Sequence, residues 1–242
     1  MRKLITTLTA ILAIFISTFV AAAEQLQVIR VNGLVEVGQT TLQDNMSYPI
    51  KFPAVIVSRG SASSISALLP NGHGIFIKSD ASVSLDATCR ERSSDVTSWI
   101  GLLDVTVKQG DFATCSPEKS PIVTYVRISA RGAVILGSAQ STYAVLGDQL
   151  TVTRGSVDVH ILDTPNKHVI VQFGESVILH TPLTVLPAKQ SRELSSDVLE
   201  ATVEACFARL ASPKTVAKPI DPTPAGAFPN QPISADLVSP AS

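Results

Sequence analysis

Charged residues are scarce in this chain of 242 residues: Asp, Glu, Lys and Arg together make up 16%, and the formal net charge is −1. A protein that binds nucleic acid needs a basic stripe to neutralise phosphates, and this sequence has none. Aromatic residues make up only 5%, which disfavours the stacking platforms of sugar-binding and base-stacking modules. The 45% of hydrophobic residues suffice for the core of one domain with extensions.

Catalytic signatures are also missing. The stretch "LPNGHGIFIKSD" at residues 69–80 has a glycine-rich appearance, but a phosphate-binding loop needs four residues between its glycines and a helix after them. Here Gly72 and Gly74 are one residue apart, and a strand pattern follows. Pro70-Asn71-Gly72 is instead a turn signature between two β-runs. No Gly-x-Ser-x-Gly elbow occurs, so we predict a protein that is not an enzyme, with no catalytic residues and no cofactor.

A polar strand in the second half of the chain, "GSVDVHI", contains Ser156, Asp158 and His160 at alternate positions. Alternate strand residues share a face but run parallel, so they do not converge as a nucleophile and its base must. The following turn could place His168 opposite His160, and two histidines with a carboxylate can bind zinc or copper. Exposed histidines on a hairpin are more often solvated than ligating, so we predict no metal site.

The N-terminus has the features of an export signal. Arg2 and Lys3 precede an apolar run, and Ala21-Ala22-Ala23 offers the small residues that signal peptidase accepts. We predict a signal peptide over residues 1–23, cleaved after Ala23, and therefore a periplasmic or secreted protein. The alternative is an uncleaved N-terminal membrane anchor, because the run is about long enough to span a bilayer.

Three cysteines would then meet an oxidising compartment. Cys89 and Cys115 lie in two loop-like stretches. A disulfide between them would close a loop of about 27 residues and stabilise the fold by roughly 3 kcal/mol. Cys206 lies in an expected helix, where it is either a small buried hydrophobe or an intermolecular bridge.

The rest of the chain divides into three parts. Residues 24–186 consist of short alternating runs rich in Val, Ile and Thr, which predict an all-β sandwich, roll or short solenoid. Residues 187–211 are expected to be helical, with an internal start capped by Asp197 and Glu200. Residues 212–242 hold seven of the 15 prolines and are expected to be a disordered tail, either a spacer or a ligand and tether.

The helical segment has one apolar stripe, which we expect to pack against the β-domain or, alternatively, to form a dimer. Its members recur at spacings of three and four residues: Leu194, Val198, Leu199, Val203, Cys206, Phe207 and Leu210.

The order of turns and strands resembles the FecR-like domain family. The matching segments are Gly33–Val37, Ser63–Leu69, Asn71-Gly72, Ser82–Leu85, Leu102–Asp111, Ser141–Val159 and Val169–Leu179. Gln140-Ser141-Thr142 stands where the family has Arg-Gly-Thr. Only Met1-Arg2-Lys3 precede the apolar run, so we expect no cytoplasmic anti-sigma segment. The resemblance implies an exported FecR-like β-module that binds other envelope components.

The expected function is therefore a non-catalytic module that binds or scaffolds a cell-envelope protein, with strand addition at a free sheet edge as one mode of binding. A structural protein associated with peptidoglycan or polysaccharide is the alternative, and a hydrolase or metal-binding protein is a third hypothesis. The partner and the oligomeric state stay open.

Overall fold

The computed structural model describes residues 25–44, 46–70, 72–90, 100–118, 124–161, 164–179, 184–186, 194–210, 215–216 and 219–220. The predicted signal peptide, residues 1–23, lies outside them. Among the described residues, no helix has the length and hydrophobicity needed to cross a membrane.

Fifteen strands and one helix make up the described chain. The strands are β1 (Gln25–Val37), β2 (Thr40–Leu42), β3 (Met46–Lys51), β4 (Ala54–Leu68), β5 (Gly74–Arg90), β6 (Ile100–Cys115), β7 (Thr124–Ala130), β8 (Ala133–Gly137), β9 (Thr142–Leu146), β10 (Gln149–Arg154), β11 (Ser156–Ile161), β12 (Thr164–Gln172), β13 (Ser176–Ile178), β14 (Thr184–Leu186) and β15 (Thr215–Val216). The helix, α1, spans Ser196–Leu210. The predicted all-β class with one C-terminal helix is confirmed.

One large sheet contains all fifteen strands, and it branches at β6. The long strands β1, β4, β5 and β6 pair in antiparallel order. The first half of β6 then pairs in parallel with β7, which continues into β8, β11 and β12 (the first arm). The last residues of β6 pair with β9, which continues into β10, β13 and β14 (the second arm). The mainly antiparallel ladders correspond to the predicted roll or sandwich, since solenoid strands stack in parallel.

The long strands change register where the backbone enters the left-handed region. Gly60 and Gly110 have φ values of 90° and 92°, and Ser79 and Asp80 have 59° and 27°. The Asp80 carboxylate accepts a hydrogen bond of 2.5 Å from the Gly60 amide, which fixes two bends against each other. A Cβ at Gly110 would lie 2.3 Å from that of Ala81, so this crossing requires glycine.

Both arms contribute to one hydrophobic core. Ile135 and Val159 of the first arm, and Leu150 and Val177 of the second, are fully buried in the same cluster. Burial of each such side chain stabilises the fold by about 1.5–3 kcal/mol. The sheet therefore bends so that its arms share a core, and the opposite face of the first arm remains in solvent.

Helix α1 packs on β4, β5 and β6 through small side chains. An added Cβ at Gly74 would lie 1.8 Å from the Ala205 carbonyl oxygen, so the helix and the sheet approach too closely for large residues. The side chains that face the sheet are Val198, Ala201, Thr202, Ala205 and Ala208.

The prediction that the whole stripe packs against the β-domain is therefore wrong: Val198 and Cys206 face the sheet, but most of the large members do not. Its large members Leu199, Val203, Phe207 and Leu210 are 45%, 64%, 36% and 83% exposed. Helix α1 begins at Ser196, close to the predicted internal start at Asp197, and its cap is the Ser195 hydroxyl, which accepts a hydrogen bond of 3.3 Å from the Val198 amide. Residues 187–193 of the predicted helix lie outside the described residues.

The predicted pairing of Cys89 with Cys115 is contradicted by a disulfide between Cys115 and Cys206, whose Cα atoms are 5.1 Å apart. In the β5–β6 ladder, Cys115 lies opposite Gly74, at the start of β5 and beneath α1, whereas Cys89 lies near the other end of β5. The helix brings Cys206 to the position that Cys89 cannot reach. Cys206 is thus neither a free buried thiol nor an intermolecular bridge.

The predicted tail, residues 212–242, lies mostly outside the described residues, but its described parts contact the sheet. β15 pairs in parallel with Met46 and Ser47 of β3. Ile220 then donates a hydrogen bond of 2.9 Å to the Pro49 carbonyl and accepts one of 3.3 Å from the Lys51 amide. These described residues pair with the β3 edge, which offers the donors and acceptors that a proline-rich segment lacks internally. For the rest of residues 212–242, a disordered tail stays a prediction.

Candidate functional site

The hairpin of β11 and β12 ends the first arm and presents a polar outer face. Buried and partly exposed residues alternate strictly along β11, with Val157, Val159 and Ile161 in the core. His160 pairs directly with His168 across the hairpin, as the sequence predicted. Asp158 is two residues from His160 and therefore shares its outer face.

The three polar side chains form one cluster. The Asp158 carboxylate lies between the two imidazoles: Oδ2 is 3.0 Å from His160 Nε2, and Oδ1 is 2.9 Å from His168 Nδ1. The imidazole rings are stacked, with centroids 5.0 Å apart and planes inclined by 11°. The side chains of Asp158, His160 and His168 are 34%, 29% and 49% exposed, so solvent reaches the cluster.

Apolar residues adjoin this cluster on the same face. Asp158 pairs with Leu136 of β8 on one side and with Ile170 of β12 on the other. Leu136 and Ile170 are 39% and 54% exposed, and Phe173, just beyond β12, is 67% exposed. A polar centre is thus flanked by exposed large hydrophobic side chains.

Among the described residues, no strand pairs with the outer edge of β12. In the described chain, β12 is the last strand of its arm and pairs with β11 alone. The Ser156 carbonyl accepts a hydrogen bond from the Ser138 amide on the β8 side. Because the backbone groups of successive strand residues point to opposite sides, those of Val157 and Val159 point to β12, where they pair with Val171 and Val169. The N–H and C=O groups of His168 and Ile170 therefore point outward.

The hydrogen bonds of the next turn support this alternation. The Gln172 amide donates to Glu175 Oε2 at 2.8 Å, and the Gln172 carbonyl accepts from the Glu175 amide at 3.0 Å. Gln172, two residues after Ile170, thus also points outward and is occupied by its own turn. The edge available to another chain is centred on Ile170, where neither lysine nor proline occurs between residues 168 and 173.

The other predicted features lie elsewhere or do not assemble. The glycine-rich stretch is a turn between β4 and β5, in which the Leu69 amide donates to the His73 carbonyl at 2.8 Å. Ser156 Oγ contacts Ser138 Oγ at 3.4 Å, so the hydroxyl faces β8 and not His160. The structure therefore brings Asp158, His160 and His168 together but leaves Ser156 outside the cluster.

A cleft of about 390 Å³, lined in part by His73, Ser116 and Tyr143, was not predicted from the sequence. Burial and the nearby positive charge of Arg209 lower the pKa of His73 from 6.5 to about 4. Burial also raises the pKa of Tyr143. The Ser116 hydroxyl is bonded to that of Ser141 at 3.0 Å. The cleft thus holds a neutral histidine and hydroxyl groups.

The outer face of α1 is a second exposed apolar surface, which the sequence analysis expected to pack against the β-domain or, alternatively, to form a dimer. One of its members is partly engaged, because the Arg30 guanidinium lies 4.3 Å from the Phe207 ring centroid. Arg30 also pairs with Glu204 at 2.9 Å. Leu199, Val203 and Leu210 account for the rest of this surface.

No family model and no curated protein matches this chain. The resemblance to the FecR-like domain family stays a prediction based on turn and strand motifs.

Proposed function

We propose that the protein is a non-catalytic, exported β-module that binds an extended segment of another cell-envelope protein by strand addition to β12. The observation that carries this proposal is the outward-pointing backbone of His168 and Ile170 at the end of the first arm. An added strand satisfies such groups with its own N–H and C=O groups. Exposed Ile170, on the outermost strand, would then contact the side chain opposite it on the incoming strand.

Only a few contacts at the β12 edge would hold the added strand, and they set the strength of binding. Each new backbone hydrogen bond contributes about 0.5–1.5 kcal/mol net, and the free edge at His168 and Ile170 offers only a few of them. Apolar burial over Ile170 adds about 25 cal/mol per Å². After the cost of association, this supports a weak, reversible complex rather than a permanent one.

The envelope location rests on the predicted signal peptide and on the FecR-like resemblance. The signal peptide indicates export, and the resemblance indicates a module that binds other envelope components, with a sensory or regulatory role as one option. Association with peptidoglycan or polysaccharide is the competing function, and it becomes an outcome of the experiment below.

Site-specific photo-crosslinking in intact envelopes tests the proposal. A photoreactive residue at Phe173 reports on the β12 edge, and one at Val203 reports on the outer face of α1. The Phe173 label is combined with Ile170→Pro, which removes an outward N–H without removing a bond to β11. Ile170→Thr is the matched control, because it keeps the N–H group and a β-branched side chain.

We expect one discrete crosslinked protein from position 173, absent with Ile170→Pro and retained with Ile170→Thr. Circular dichroism and thermal unfolding verify that both variants fold. A crosslink that survives Ile170→Pro, or one that forms from position 203 alone, contradicts strand addition. Recovery of wall or polysaccharide fragments in place of a protein supports the competing function.

A further inference from the structure

We infer that Asp158, His160 and His168 form a binding site for a divalent transition-metal ion such as Zn²⁺. Each side chain offers one ligand atom, and these atoms lie within 4.8 Å of one another. This inference does not rest on strand addition, since the cluster is complete within one hairpin.

The distances suit a small ion. Zinc binds imidazole nitrogen at about 2.0–2.1 Å and carboxylate oxygen at about 2.0–2.2 Å, which places tetrahedral ligand atoms about 3.3 Å apart. The two separations between Asp158 and the histidines are 3.0 and 2.9 Å. Small rotations of the side chains would therefore exchange the two carboxylate–imidazole hydrogen bonds for metal bonds.

The donor set favours particular metals. Two imidazole nitrogens and one carboxylate suit Zn²⁺, Cu²⁺ and Ni²⁺, whereas Ca²⁺ and Mg²⁺ prefer oxygen ligands throughout. Three protein ligands leave a fourth position for water or an added ligand. Partial exposure of all three side chains places that position on the solvent side.

The backbone holds the ligands in place before a metal arrives. His160 and His168 are directly paired residues of one antiparallel ladder, and Asp158 lies on the same strand as His160. Ligands on paired strands are positioned more precisely than ligands on loops. Only side-chain rotation separates the hydrogen-bonded cluster from the metal-bound one.

Isothermal titration of the untagged full-length mature protein with Zn²⁺ tests the inference, with Mg²⁺ as a second probe. We compare His168→Gln and Asp158→Asn with His180→Gln, which removes a histidine that is not one of the three proposed ligands. Thermal unfolding with and without Zn²⁺ is the second readout, since a ligand that binds only the folded state raises Tm.

We expect saturable binding of one Zn²⁺ per chain and no binding of Mg²⁺. His168→Gln and Asp158→Asn should each weaken Zn²⁺ binding by about tenfold or more and abolish the Tm increase, whereas His180→Gln should change neither. Equal loss in all three variants, or Zn²⁺ binding that does not saturate, overturns the inference and leaves adventitious surface binding only.

Discussion

The Cys115–Cys206 disulfide joins helix α1 to strand β6, and its removal should lower the free energy of unfolding by about 3–5 kcal/mol. The two residues are 91 positions apart in sequence. In the chain-entropy account, a closed loop of that length restricts the unfolded chain by about 4.6 kcal/mol at 25 °C. The predicted Cys89–Cys115 pairing would close a far shorter loop.

The folded state should survive the change. Helix α1 keeps its buried face on the sheet, and Arg209 donates a hydrogen bond of 3.1 Å to the Ser116 carbonyl beside the disulfide. The effect therefore appears as a loss of stability rather than a loss of structure. Since domains are stable by only about 5–15 kcal/mol, the expected change is a large share of the total.

Equilibrium urea unfolding, followed by far-UV circular dichroism, measures this effect. Cys115→Ala combined with Cys206→Ala removes the disulfide without leaving a reactive thiol from it. The matched control is Cys89→Ala, which removes a cysteine that is not part of the disulfide and should lower the free energy of unfolding far less than the double variant does. Peptide mapping under non-reducing conditions identifies the bonded pair directly.

Two outcomes refute the reasoning. One is a mapped peptide that joins Cys89 to Cys115. The other is a double variant whose unfolding midpoint equals that of the wild type, since this would mean that the disulfide does not restrict the unfolded chain as calculated.

Two further changes test the helix packing and the cleft. Gly74→Ala should displace α1 and lower Tm markedly, because its Cβ would lie 1.8 Å from the Ala205 carbonyl oxygen. The control Gly132→Ala has open space around it and should cost only about 1 kcal/mol of backbone strain. An equal loss of stability in both variants would contradict the close packing of α1 on β5. His73 has its pKa lowered to about 4 by burial and by Arg209, so the unfolded chain takes up a proton first as the pH falls. The free energy of unfolding of the wild type should therefore decrease by about 3 kcal/mol between pH 6.5 and 4 relative to that of His73→Gln. If the wild type and the variant lost stability equally over this pH range, the lowered pKa of His73 would be contradicted.

Local patterns in the sequence predicted local structure well. The alternation of Val with polar residues around Asp158 predicted the buried and exposed faces of β11. The turn after β11 predicted the pairing of His160 with His168. The turn at Gly72 follows from the same kind of signal, because Pro-Asn-Gly between two β-runs has few conformations open to it. These features depend on neighbours a few residues apart.

Features that depend on distant parts of the chain were missed. The spacing of Cys89 and Cys115 says nothing of the helix that carries Cys206 to the same place. The helix stripe was assigned from the spacing of its apolar residues, but the close approach at Gly74 admits only small side chains such as Ala205. That β12 ends its arm likewise depends on the strand order of the whole sheet, which no local pattern encodes.

Amide hydrogen exchange at the β12 edge tests the central claim most directly. In the free protein, the Ile170 amide should exchange rapidly, whereas the neighbouring Val169 and Val171 amides, bonded to β11, should be protected. In the complex isolated by crosslinking from position 173, the Ile170 amide should become protected as well. An Ile170 amide that is already protected in the free protein, or that still exchanges rapidly in the complex, would contradict strand addition at β12.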